Sequence, residues 1–117
     1  MIVKKVLKDA LLIDGKKVVL PAVLWCDGSD HIMGWTRGYT LDDFLVATAI
    51  RPLPDLVLIG TGKTLTPDKK LKEYFEKFGL LSEFHTNRDC AALFNMLRSK
   101  DSRSLMAFFY SNKCTAL

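Results

Sequence analysis

The segment best suited to binding a ligand is the glycine-rich stretch Ile59-Gly60-Thr61-Gly62-Lys63-Thr64. Gly-Lys-Thr ends the phosphate-binding loop of nucleoside triphosphatases, but that loop needs an earlier glycine at the position where this chain has Val57. The dinucleotide fingerprint fails as well, because Leu65 replaces its third glycine. Amides at a following helix start, with Lys63 nearby, would still suit an anion. We therefore predict either an anion or small-molecule site, or a plain strand-to-helix turn, at Gly60, Thr61, Gly62 and Lys63.

Residues that could act as acid, base or nucleophile are scattered along the chain. His31 and His85 have no serine or cysteine beside them in sequence, and Asp42-Asp43 fits the charged first turn of a helix. The three cysteines lie far apart without CxxC spacing, which disfavours a zinc site or a disulfide framework. We predict no catalytic residues, no cofactor and no metal, and keep an uncharacterised enzyme at the glycine-rich turn as an alternative.

Composition narrows the class of protein. A chain of 117 residues, 49% hydrophobic and 26% charged, suits a single globular domain over residues 1–117. The net charge of +4 comes from lysines that alternate with apolar residues, not from a basic stripe interleaved with aromatics, so we expect no nucleic-acid binding. No apolar run reaches the roughly 18 residues that a membrane span needs, and the N-terminal residues are strand-like, so we expect neither a membrane span nor a targeting segment.

The first third of the chain has the pattern of antiparallel strands. Asp14-Gly15 predicts a tight hairpin turn between strands at residues 10–13 and 17–20. Pro21 predicts a bulge or an edge position for the second of these strands. The β pattern then resumes at residues 23–25, and a further strand is predicted at residues 31–35.

The remaining chain alternates between helix and strand. Helix starts are predicted at Thr40, at Thr66-Pro67 and at Thr86, and Gly79 is expected to end the second helix. Apolar strands at residues 56–59, 80–84 and 104–110 fit parallel pairing through right-handed crossovers. The predicted fold class is α/β, with an N-terminal antiparallel β layer packed on a small βαβαβ sandwich around a mostly parallel sheet.

Aromatic residues mark the possible partner surfaces. Phe108, Phe109 and Tyr110 are consecutive, so they cannot all face one side of a sheet. The residues facing the opposite side are covered either within the domain or by another protein, and an uncovered patch would mark an interface. A homodimer through a strand edge or an aromatic surface is a further possibility.

The order of several motifs resembles the Mth938-like domain family over about residues 12–109. Its mitochondrial branch is similar to NADH:ubiquinone oxidoreductase complex assembly factor 3. The matching segments are Val19-Leu20-Pro21, Trp35, Arg51-Pro52, Leu56-Val57-Leu58-Ile59-Gly60-Thr61-Gly62, Glu83-Phe84-His85-Thr86, Cys90-Ala91-Ala92, Phe94-Asn95-Met96-Leu97 and Arg103.

The resemblance implies a three-layer fold and no established catalytic residues. It also implies a non-enzymatic protein-interaction module resembling a respiratory complex I assembly factor, with complex I assembly intermediates as partners. The expected compartment is the mitochondrion if the chain is orthologous to that factor, and the cytoplasm otherwise. Asp101-Ser102-Arg103 stands where the family often has Glu-Gly-Arg.

Asn95 belongs to the resembling segment and lies beside the apolar stripe of the third predicted helix. Its amide is expected to bond loop backbone, with the Gly-Thr-Gly turn as the proposed partner. We favour this structural role for Asn95 and keep ligand contact as the alternative.

Overall fold

A computed structural model describes residues 2–26, 30–34, 54–65, 69–77, 79–100 and 104–110. The helix predicted to start at Thr40 lies outside the described residues, as do the Thr66-Pro67 helix start, Trp35, Arg51-Pro52 and Arg103. No described helix is long and apolar enough to cross a bilayer.

A small antiparallel sheet forms from the first three strands, in the order β1-β2-β3. The strands are β1 (Val3–Val6), β2 (Ala10–Ile13) and β3 (Lys16–Val19). Asp14 and Gly15 both have positive φ, of 50° and 80°, as the tightest hairpin turns require. The predicted hairpin is confirmed, with its second strand one residue earlier than expected.

A second sheet of five strands has the order β5-β4-β8-β6-β7. Strand β6 pairs in parallel with β7 and with β8, which confirms the predicted parallel core. Strand β4 pairs antiparallel with both β5 and β8. The strands are β4 (Ala22–Cys26), β5 (Asp30–Gly34), β6 (Leu56–Gly60), β7 (Leu81–His85) and β8 (Leu105–Phe109).

The antiparallel half is thus divided between two sheets, which the sequence prediction did not anticipate. Of the two alternatives predicted from Pro21, the bulge is wrong, because β3 ends at Val19 and the chain enters the other sheet at Ala22. The edge position is confirmed, because β3 is the last strand of the small sheet. Ala22, Val23 and Leu24 are fully buried. A continuous apolar run of this kind suits an internal strand covered on both faces, which is the position that β4 occupies between β5 and β8.

Two described helices pack on opposite faces of the five-stranded sheet. Helix α1 (Lys69–Lys77) buries Leu71 and Phe75. It ends as predicted at Gly79, with φ of 72°, and the Leu80 N–H donates to the Phe75 carbonyl at 2.9 Å, which satisfies a terminal carbonyl.

Helix α2 (Asn87–Lys100) begins after Thr86, the predicted cap residue. The Asp89 N–H donates to the Thr86 hydroxyl at 3.3 Å, so the cap is confirmed. Cys90 and Phe94 of the predicted stripe are buried, and Leu93 and Leu97 pack against the same core.

The core consists of two clusters, one on each face of the five-stranded sheet. Leu58 and Ala107 face the cluster shared with the small sheet and α2, whereas Val57 and Met106 face the cluster that contains the α1 residues. The consecutive aromatic residues follow the same alternation and are covered within the domain. Phe109 belongs to the first cluster, and Phe108 and Tyr110 belong to the second.

Candidate functional site

The turn that follows β6, residues 60–62, directs its main-chain donors into the protein. The Thr61 N–H donates to the His85 carbonyl at 2.8 Å, and the Gly62 N–H donates to Asn87 Oδ1 at 3.0 Å. The Thr61 hydroxyl donates to the Thr64 carbonyl at 2.8 Å. A phosphate-binding loop needs main-chain N–H groups that point at the ligand. Thr61 and Gly62 donate their N–H groups inside the protein, so these two amides are not directed at an anion.

Asn87 is the residue that organises the turn. It is 3% exposed, and its side chain bridges Gly62 and Tyr110. Its Nδ2 donates to the Tyr110 carbonyl at 2.7 Å, and its main-chain N–H donates to the Gly62 carbonyl at 2.8 Å. One buried amide therefore joins the carboxyl ends of β6 and β8 to the first residue of α2.

This arrangement explains both glycines of the turn. A Cβ at Gly60 would overlap Asn87 Oδ1 and lie 3.2 Å from the Phe109 ring. Gly62 has φ of 96°, a left-handed conformation that other residues rarely adopt. The glycines thus permit the approach of Asn87 and the reversal of the chain.

The sequence prediction did not single out Asn87. Asparagine is a weak helix former whose side chain competes for main-chain groups. Its position directly after the cap residue Thr86 was therefore a signal of a side-chain contact with main chain. The identity of its partners could not be deduced, because Gly62 and Tyr110 are 25 and 23 residues away in sequence.

Asn95 bonds main chain, as expected, but the predicted partner is wrong. Its Nδ2 donates to the Val3 carbonyl at 2.8 Å, and its Oδ1 accepts the Val3 N–H at 2.9 Å. The helical rise places Asn95 about 12 Å further along α2 than Asn87, which puts the Gly-Thr-Gly turn out of its reach. Asn95 therefore fastens α2 to β1.

An open groove lies between β1 and the first half of α2. Its larger part has a volume of about 660 Å³ and its smaller part about 300 Å³, and the two parts share Val6 and Arg88. The larger part is lined by Val6, Leu7, Lys8, Gly62, Lys63, Thr86, Asn87 and Arg88. The smaller part is lined by Val3, Lys4, Lys5, Val6, Arg88, Ala91, Ala92 and Asn95.

The described residues that line the groove carry an excess of positive charge. Lys8, Lys63 and Arg88 line the larger part, Lys4 and Lys5 line the smaller one, and no described aspartate or glutamate lines either. The N-terminus of α2 adds the partial positive charge of the helix dipole. The groove therefore has the potential that attracts a negatively charged partner.

The predicted site residues separate in space. Gly62 and Lys63 line the larger part of the groove and Asn95 the smaller part, whereas Gly60 and Thr61 line neither. Ligand binding at these residues stays a prediction.

Two of the titratable candidates, His85 and Cys90, are not among the residues that line the groove. Asp42, Asp43 and the side chain of His31 lie outside the described part of the chain. His85 Nε2 is 3.0 Å from Glu83 Oε1 on β7. Cys90 is buried, and burial, with a smaller contribution from the Glu83 charge, raises the pKa of its thiol far above the ordinary value. A neutral, buried thiol is a poor nucleophile. The described residues include no group of three or more histidine, cysteine or acidic side chains that could hold a metal.

Comparison with solved structures identifies the fold. A crystal structure of a Bordetella parapertussis protein matches with a TM-score of 0.75 and 14% identity, covering 95% of each chain. A Xanthomonas campestris protein matches at 0.71 and 15%, covering 92% of this chain and 81% of its own. A Bordetella pertussis protein described as a Mth938-like domain matches at 0.69 and 11%, covering 97% of this chain and 87% of its own.

No curated protein matches the sequence. A family model described as "Protein of unknown function (DUF498/DUF598)" matches residues 3–109. The chain therefore belongs to the DUF498/DUF598 family of proteins of unknown function, and it has the Mth938-like α/β fold.

Proposed function

We propose that this domain is a non-enzymatic protein-interaction module whose partners are assembly intermediates of respiratory complex I. The observation that carries the interaction role is the groove between β1 and α2. It is open, has apolar positions at Val6 and Leu7, and is lined by cations from three separate segments: Lys8, Lys63 and Arg88. A basic groove with apolar contacts suits a charged protein segment.

The identity of the partner is supported by the motif resemblance to the complex I assembly-factor branch. The same resemblance supports a mitochondrial location, with the cytoplasm as the alternative if the partners differ. A homodimer is compatible with an interaction role, and size-exclusion chromatography with light scattering measures it directly.

Affinity purification from the cells that make the protein tests this proposal. The tagged chain is crosslinked in the cells and purified, and the recovered proteins are identified by mass spectrometry. We expect subunits of NADH:ubiquinone oxidoreductase together with other assembly proteins, enriched over an unrelated tagged domain of similar size and charge. A cytosolic distribution with no complex I subunit recovered would reject the assignment.

A second candidate function is the binding of a small anion at the same groove. It is favoured by the convergence of Lys63, Lys8 and Arg88, and weakened because the Thr61 and Gly62 amides are donated inside the protein. Thermal denaturation with inorganic phosphate or pyrophosphate tests it. If the anion site exists, Lys63→Ala removes the ligand-induced rise in melting temperature, and an unchanged rise argues against the site.

A further inference from the structure

Strand β1 directs the main-chain groups of Val6 away from its partner strand. The Leu7 N–H donates to the Ala10 carbonyl at 2.8 Å, and Val6 is paired opposite Leu11. In an antiparallel pair, residues that exchange hydrogen bonds alternate with residues that do not. Because Leu7 bonds across to β2, the N–H and carbonyl of Val6 point to the outer edge of β1.

The contact at Val3 shows what this outer edge faces. Asn95 both donates to Val3 and accepts from it, as a neighbouring strand would. The edge therefore faces α2 at that point. Val6 is the next residue whose main-chain groups point to this edge, and it lines both parts of the groove.

Cations surround this opening. Lys8, Lys63 and Arg88 lie on the side of the β6 turn, and Lys4 and Lys5 lie on the other side. An exposed strand edge binds extended peptides through main-chain pairing, and the surrounding side chains select the sequence. Here the surrounding charges would select carboxylates.

We propose that the groove binds an extended acidic segment of a partner protein, which pairs its main chain with Val6 and places carboxylates against Lys8, Lys63 and Arg88. The inference rests on the proposed interaction role and adds the chemistry of the partner. It assigns binding to the edge of β1 and gives the glycine-rich turn a supporting position only.

Fluorescence anisotropy with a capped, labelled peptide of sequence Glu-Val-Glu-Val-Glu-Val-Glu tests the charge requirement. We expect saturable binding that the double variant Lys63→Glu, Arg88→Glu weakens by at least about tenfold. The matched control is the double variant Lys70→Glu, Lys72→Glu, because both lysines are exposed on α1, which packs on the opposite face of the five-stranded sheet. Equal loss in the control, or no loss in the double variant, overturns the assignment to the groove.

Backbone methylation of the peptide tests the pairing without altering the protein. Only alternate residues of a strand point their N–H groups to one edge. We synthesise one peptide N-methylated on its valines and another N-methylated on its glutamates. Pairing with Val6 predicts that one of them loses at least about tenfold in affinity while the other binds nearly as well as the parent. Equal behaviour of the two peptides overturns main-chain pairing.

The variant Val6→Pro provides the complementary test in the protein. Proline is tolerated in an edge strand where its N–H would face outward, so the fold is expected to persist. Circular dichroism checks the fold. The affinity of Val6→Pro for the unmethylated peptide should fall to the affinity that the wild-type protein has for the weakly binding methylated peptide. A folded Val6→Pro variant with unchanged affinity contradicts the proposal, as does tighter binding of a single-stranded oligonucleotide than of the peptide.

The same double variant separates this inference from the proposed function. Recovery of complex I subunits by wild type and by Lys63→Glu, Arg88→Glu alike would overturn groove binding and leave the interaction role standing. Groove-dependent peptide binding without recovery of complex I subunits would overturn the partner assignment and leave the groove standing.

Discussion

The glycine-rich turn after β6 and the outer edge of β1 lie on neighbouring sides of one groove, yet they use their main chain in opposite ways. At the turn, the N–H groups of Thr61 and Gly62 are donated to His85 and Asn87. At β1, the register of pairing with β2 directs the N–H and carbonyl of Val6 outward. The turn has the more conspicuous sequence, but it is at the edge of β1 that a main-chain N–H and carbonyl point outward.

A glycine can therefore mark a close internal approach as well as a ligand site. Position 60 requires glycine because the Asn87 amide occupies the space that a side chain would need. A substitution at the turn should therefore act on stability, whereas a change at the β1 edge should act on binding.

The largest effect is expected from Gly60→Ala. The added methyl group would displace Asn87 and crowd Phe109, so the hydrogen bonds of Asn87 would be lost along with the packing. We expect the free energy of unfolding to fall by about 4 kcal/mol. Urea denaturation measures the change. Gly15→Ala is the control, because Gly15 has positive φ but open space around it, and it should cost only about 1 kcal/mol. Equal losses would show that the Asn87 side chain shifts aside at little cost, so that its close approach does not explain the glycine at position 60.

Removing the Asn87 side chain should lower the free energy of unfolding by somewhat less than Gly60→Ala does. Asn87→Ala leaves the Gly62 N–H and the Tyr110 carbonyl buried without their partner. Two unsatisfied buried groups predict a loss of about 3 kcal/mol in the free energy of unfolding. A loss below about 1 kcal/mol would mean that water replaces the amide, and the turn would then have donors available for a ligand.

The pH dependence of the free energy of unfolding tests whether water is excluded from Cys90, which lies about one helical turn after Asn87. Burial and the Glu83 charge raise the pKa of the Cys90 thiol above its ordinary value of 9.0. The unfolded chain then ionises at lower pH than the folded chain, so stability is present below about pH 9 and is lost as the pH rises. Between about pH 8 and about pH 10, wild type should lose about 1.4 kcal/mol more than Cys90→Ala does. Identical pH slopes under reducing conditions would contradict a buried, neutral thiol.

The smallest effect is expected at Asn95. Its side chain is half-buried and bonds Val3 at the open end of the groove, where water can take its place. Asn95→Ala should lower the free energy of unfolding by about 1 kcal/mol, in the same urea assay. A loss as large as that of Asn87→Ala would remove the distinction between a buried and an open main-chain contact.

Much of the fold was predictable from local patterns. The Asp14-Gly15 turn, the Thr86 cap and the Gly79 stop are set by residues close in sequence, and the structure confirms each of them. The parallel strands were predictable because an unbroken apolar run such as residues 56–59 suits burial on both faces. The division of the antiparallel strands between two sheets was not, because sheet membership depends on the pairing of β4 with β8, some 80 residues apart.

The site was less predictable than the fold. Sequence spacing located the turn and Lys63, but the approach of Asn87 to Gly62 arises from tertiary packing. Placing Asn95 at the turn failed because residues on one helix face can be separated by more than the reach of a side chain. The role proposed for Val6 depends on strand register, which the sequence Val-Lys-Lys-Val of β1 does not reveal.

Amide hydrogen exchange of the unliganded protein, followed residue by residue by NMR, tests the contrast most directly. The Gly62 amide, donated to a buried side chain, should exchange at least about 100-fold more slowly than the outward amide of Val6. A fast Gly62 amide together with a protected Val6 amide would show the reverse arrangement, in which the turn presents its donors to the groove and the edge of β1 is closed.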